Sequence, residues 1–135
     1  MKHVVAAALM LLAGSACGTE PDPEAGHTPV SAKLFNASGT EMTPALTLAA
    51  GATVRLEVRF YADDGDQITG LEAEHSAGLT FAPEALASVA AVAGQKFFFD
   101  VTAQAGAGTG AVTIGYGHGT DTDEESFGPF TVTVQ

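Results

Sequence analysis

Thr53-Val54-Arg55-Leu56-Glu57-Val58-Arg59-Phe60 decides the fold. Apolar Val54, Leu56, Val58 and Phe60 alternate with polar Thr53, Arg55, Glu57 and Arg59. Neighbouring side chains of a strand point to opposite faces, so this period of two describes a half-buried strand with one wet face. The pattern recurs outward along the chain. Phe97, Phe99 and Val101 alternate with Phe98, Asp100 and Thr102. Val112, Ile114 and Tyr116 alternate with Thr113 and Gly115, and Phe130, Val132 and Val134 with Thr131, Thr133 and Gln135. Shorter candidates are Ser31–Phe35, Leu46–Leu48, Gly70–His75 and Leu79–Phe81. Turn-forming runs separate them: Asp63-Asp64-Gly65-Asp66, Gly106–Gly110 and Gly117–Glu125. Residues 83–92 admit a short helix, with Pro83 at its start and Gly94 past its end, or a turn at 83–86 followed by a strand at 87–92. The second reading is preferred. About seven short strands at this spacing predict an all-β fold, a single antiparallel sandwich over residues 30–135.

Composition narrows the function. The chain has 135 residues, 16 acids against five Lys and Arg, a formal net charge of −11 and one Cys. That charge lacks the basic footprint of a nucleic-acid binder, so no nucleic-acid partner is expected. One Cys makes neither a disulfide framework nor a Cys-based zinc site. An apolar fraction of 46% argues against wholesale disorder.

The first residues read as an export signal. Lys2 supplies the positive charge, Val4–Leu12 is an unbroken apolar run, and Ala13, Gly14, Ser15 and Ala16 are small. The run is too short to cross a bilayer, which takes roughly 20 apolar residues. Ala13-Gly14-Ser15-Ala16-Cys17 resembles the bacterial lipoprotein signal, although Gly14 stands where Leu is commonest. The resemblance implies cleavage of residues 1–16 and a lipid on the Cys17 sulfur; an ordinary secretory signal with a free Cys17 is the alternative. Two or three acyl chains anchor stably, since each buried CH₂ contributes about 0.8 kcal/mol. Gly18 after the cysteine resembles the class sorted to the outer membrane, facing periplasm or surface. Residues 18–29 hold three Pro, two Gly and three acids, with no large apolar side chain. Residues 17–29 therefore read as a lipidated Cys followed by a flexible acidic tether, with an r.m.s. span of roughly 20 Å.

The remainder resembles bacterial Ig-like (Big-type) domains. The matching stretches are Ala49–Val54 leading into the long strand, Asp64-Gly65-Asp66 before Ile68–Leu71, Gly108–Ile114 and Phe130–Val134. The resemblance implies an Ig-like sandwich and a role in binding, adhesion or spacing. Fold alone assigns none of these roles.

Three-quarters of the acids fall in three places: the tether, residues 63–74 and residues 121–125. In an Ig topology the B–C and F–G loops share one end. Asp63, Asp64 and Asp66 would then meet His118, Asp121 and Asp123 there, a candidate site for Ca²⁺ through its carboxylates or for Zn²⁺ if His118 or His27 joins. The plainer reading is that Asp and Gly form turns and that surface acids maintain solubility. No EF-hand spacing occurs. On this topology His75 ends a strand at the opposite pole from His118, which disfavours a pair. The serines lack a G-x-S-x-G elbow, and Gly115–Gly119 has neither a phosphate-loop pattern nor a lysine beside it. No enzyme is expected. The expected protein is a lipid-anchored envelope module that meets the membrane through Cys17 and an envelope or surface protein through its sandwich. A divalent-cation-binding lipoprotein is the alternative.

Overall fold

The computed structural model describes residues 28–106 and 108–135. The leader, Cys17, the tether up to His27, and their expected roles lie outside the described residues. The decisive stretch forms β3 (Thr53–Tyr61), whose burial follows the alternation: Leu56, Val58 and Phe60 are at most 1% exposed. β1 (Ser31–Asn36) pairs antiparallel with one side of β3, and β7 (Gln95–Ala103) with the other. β6 (Ala87–Val92) lies outside β7, and the two-residue β4 (Gln67–Ile68) folds back on the end of β3. The second sheet runs β2 (Ala45–Leu48), β9 (Glu125–Val134), β8 (Thr109–His118), β5 (His75–Ala82).

Lettering β1, β3, β5, β6, β7, β8 and β9 as A to G makes the first sheet ABED and the second CFG. That is the Ig arrangement, with β2 and β4 as short additions. One pairing departs from the antiparallel expectation. β2 runs parallel to β9, with Leu46 opposite Val132 and Leu48 opposite Val134. The chain leaves β1 in one sheet and crosses within nine residues to the other, where it descends alongside the last strand.

The inner rows of both sheets make the core. Leu34, Leu56, Val58, Phe60 and Val101 face Leu46, Val112, Ile114 and Val132, none more than 1% exposed. Apolar burial of this kind contributes about 25 cal/mol per Å² and is the main stabilising force. Phe60 sits at one end of it, with Phe97, Tyr116 and Phe127 around its ring at centroid distances of 5.4, 4.8 and 5.8 Å. Tyr116 fills the core, as expected of an inner-row residue.

Residues 83–92 form a 3-10 turn at Glu84–Leu86 and then β6, as the preferred reading has it. Gly70–His75 is not a strand. Gly70 takes a left-handed φ of 82°, and Leu71–Ala73 makes a 3-10 turn in which only Leu71 is buried. The alternating Leu-Glu-Ala-Glu order imitates a strand, but one apolar anchor is enough to pin a turn. Consequently His75 begins β5 instead of ending a strand, and its pole is reversed.

Candidate functional site

The contact of Phe60 with Tyr116 puts the C-terminal ends of β3 and β8 at one end of the sandwich. The turn at residues 62–66 and the loop at 119–124 therefore leave from the same pole, as the Ig topology predicts. Val30 N–H donates to Tyr61 O, so β1 starts there too.

The first acidic group is a free-standing turn. Asp63, Asp64 and Asp66 are exposed. Asp64 Oδ1 accepts from the Asp66 N–H at 3.0 Å, and Gly65 supplies the left-handed φ of 87° that the turn needs. An Asx turn spends a carboxylate oxygen on its own backbone.

The second group is built differently, although it repeats the same Asx turn: Asp121 Oδ1 accepts from the Asp123 N–H at 3.2 Å. Here the loop folds back onto the outer face of β5 and β8. A Cβ placed at Gly115 would sit 1.9 Å from Thr122 O, and one at Gly117 2.7 Å from Asp121 O. Gly78 on β5 meets the Thr122 side chain in the same way, at 3.0 Å. Three absent side chains thus form the bed of the loop. Gly119 N–H donates to Glu74 O at 2.7 Å, and the Ser76 hydroxyl donates to Gly119 O. Asp121 and Asp123 interact directly. Hydrogen bonding to Asp121 pushes the Asp123 carboxyl above its ordinary range, while hydrogen bonds from Asp123 hold Asp121 below it.

The two groups share a pole without sharing a centre. Among the described residues, no three His, Cys, Asp or Glu side chains come together as a metal cluster. The sequence-predicted set of Asp63, Asp64, Asp66, His118, Asp121 and Asp123 is gathered at one end but not into one coordination sphere.

Between the loops stands a residue pair that sequence reasoning placed at opposite poles. His75 and His118 are direct cross-strand partners, their ring centroids 4.2 Å apart. His75 is 9% exposed, and its ring stacks on Tyr116 at 5.0 Å and 10°. Its Nδ1 is buried without a hydrogen-bond partner. His118 is exposed, and its Nδ1 lies 2.9 Å from Glu124 Oε2. The hydrogen bond to Glu124 raises the His118 imidazole above its ordinary pKa and lowers the Glu124 carboxyl below its own.

The outer face of β3 carries its cations in pairs. Arg55 Nε and Nη2 donate to the two Asp100 oxygens, each at 2.9 Å. Arg59 Nη2 donates to Glu57 Oε2 at 2.7 Å, and its guanidinium lies 4.1 Å above the Phe35 ring. Both arginines are thus paired with acids on the outer face of their own sheet. Phe98, the ring forced onto this face, is half-buried beside Arg55, Arg59 and the Asn36–Gly39 turn in a depression of ≈ 470 Å³.

No known protein-family model matches this chain, and no curated protein matches it. Among solved structures, the chain is similar to the S-layer protein SbsC, domains 4 and 5, at 17% identity and a TM-score of 0.42. The likeness covers 79% of this chain and 53% of that one, so the chain spans about half the length of the solved protein it matches.

Proposed function

We propose that this chain is an exported lipoprotein of the cell envelope, anchored through Cys17, whose Ig-like sandwich serves binding, adhesion or spacing and performs no catalysis. The observation that carries the reading is the position of the single Cys. It closes a leader of Lys2, nine apolar residues and four small ones, and it stands 14 residues before the first strand. A chance cysteine has no reason to occupy that place. The intervening residues, acidic and proline-rich, suit a tether of roughly 20 Å r.m.s. span. On this reading the tether reaches the sandwich at the pole that bears both acidic loops, so that pole faces the bilayer. Outer-membrane residence follows from Gly18 beside the anchor.

The test is expression of the parent and C17S chains in a bacterium, followed by detergent phase partition and mass spectrometry of the mature N-terminus. The expected result is a diacylglyceryl-modified Cys17 in the detergent phase and an unmodified C17S protein in the aqueous phase. Equal partition of the two proteins, or cleavage at another residue, overturns the reading.

A further inference from the structure

We propose that His75 and His118 form a two-imidazole site for a borderline divalent transition ion, for which Cu²⁺ is the tightest ligand. The pair is preset by the backbone. Residues directly opposite in an antiparallel ladder present their side chains on the same face, so the register of β5 on β8 holds both rings together. With metal–nitrogen bonds of about 2.0–2.1 Å, two imidazoles on one ion bring their centroids to roughly 4.5–5 Å. The observed 4.2 Å is shorter, so binding requires the exposed His118 ring to move outward and the nitrogens of both rings to turn toward the ion.

Two further features point to a ligand. His118 Nδ1 is held by Glu124 at 2.9 Å, so in the neutral ring Nε2 carries the lone pair. A carboxylate on the far nitrogen is the outer-shell partner that metal-binding histidines usually have, because it fixes the tautomer and raises the donor strength of the ring. His75 carries a buried Nδ1 without a partner, in a side chain more than nine-tenths buried. The other unpartnered buried side-chain nitrogen among the described residues is Arg59 Nε, in a guanidinium that Glu57 already holds through Nη2. An orphaned ring nitrogen in the core rim costs stability unless something compensates it. The stacked Tyr116 ring locks the His75 plane, so the site is held rigid from below.

The donor chemistry selects the ion. Imidazole suits Cu, Ni and Zn, and affinity at such sites peaks at Cu²⁺. Hard Ca²⁺, which takes six to eight oxygens, gains nothing from the pair. With two protein nitrogens, the other coordination positions are left to water or to a group from a partner. The site is independent of the lipid anchor and stands or falls without it.

The test uses the untagged full chain in an H3Q/C17S/H27Q background, which leaves His75 and His118 as its only histidines and no thiol to bind or reduce Cu²⁺. Removing His3 also removes the Met1-Lys2-His3 terminus, itself a strong Cu²⁺ chelate. Cu²⁺ is titrated by calorimetry and the complex examined by electron paramagnetic resonance. The expected result is one equivalent bound, with superhyperfine structure from two nitrogens. H118Q should weaken binding at least about 100-fold and E124Q about tenfold, in line with the usual loss on removing an outer-shell partner. H118Q should still fold without metal, because His118 is exposed and lies outside the core. H75Q should weaken binding as H118Q does; if it fails to fold, H118Q decides alone. Undiminished affinity in H118Q, a spectrum with fewer than two nitrogens, or no binding overturns the proposal.

Discussion

The turn at 62–66 and the loop at 119–124 look alike in the sequence and differ in the molecule. Both are rich in Asp, Gly and small polar residues, both contain an Asx turn, and both leave the same end of the sandwich. The first is seated only through Ala62, and its tip stands clear: a Cβ at Gly65 would meet no atom within 4 Å. The second lies pressed into a glycine bed and is tied down by Glu74 O, Ser76 and the His118–Glu124 pair. Local composition determines the turn. What the turn rests on is determined by strand residues elsewhere.

Substitutions separate the two. F60A should affect both, because Phe60 is the inner support next to the first turn and beneath Tyr116. Truncating a buried Phe costs about 3–5 kcal/mol, to be measured by urea denaturation. G115A should disturb only the second loop. Its new Cβ drives against the Thr122 carbonyl, so a loss of about 1–3 kcal/mol is expected, as for overpacking. Chemical-shift changes should be confined to residues 113–124. If G115A leaves the amide spectrum of that loop unchanged, the glycine bed is not what seats it. G65A should strain only the first turn, at about 1 kcal/mol for a left-handed alanine, with the 119–124 amides unmoved.

E124Q is the finest probe. It should return the His118 pKa downward toward 6.5 in a proton NMR titration, since the Glu124 hydrogen bond is the main cause of its elevation. The sign of the stability effect follows from linkage. His118, raised in the folded state, contributes below its unfolded pKa of 6.5 and loses that contribution as pH rises through the folded value. Glu124, lowered in the folded state, contributes above 4.5 and loses it as pH falls through its folded value. The pair therefore supports the loop most fully between pH 4.5 and 6.5. Both groups are exposed, so added salt should shrink the effect.

Much of the fold was legible because period-two alternation maps directly onto burial. β3, β7, β8 and β9 each carry it, and the buried row follows the apolar row, apart from half-buried positions such as Phe130 and from Gly117, which the loop covers from outside. The shared pole of the two acidic groups was legible from topology alone. The histidine pair was not. Placing it required knowing where β5 begins, and Leu71-Glu72-Ala73-Glu74 has the polarity pattern of a strand while forming a turn. Reading Gly70–His75 as a strand that ends at His75, when His75 begins β5, moved it from one end of the molecule to the other. The glycine bed left a trace in the sequence, Gly115-Tyr116-Gly117, in which only the outward positions of a strand are glycine. That spacing signals backbone approaching from outside, although it does not say which segment approaches.

The parallel pairing of β2 with β9 has a mechanical meaning. Val30 bonds to Tyr61 at one end of the sandwich, while Gln135 bonds to Leu48 and Ala50 at the other. Tension applied between residues 30 and 135 draws β2 and β9 along their lengths in opposite directions. Their ladder bonds then carry the load together, in shear, instead of opening one after another like a zipper.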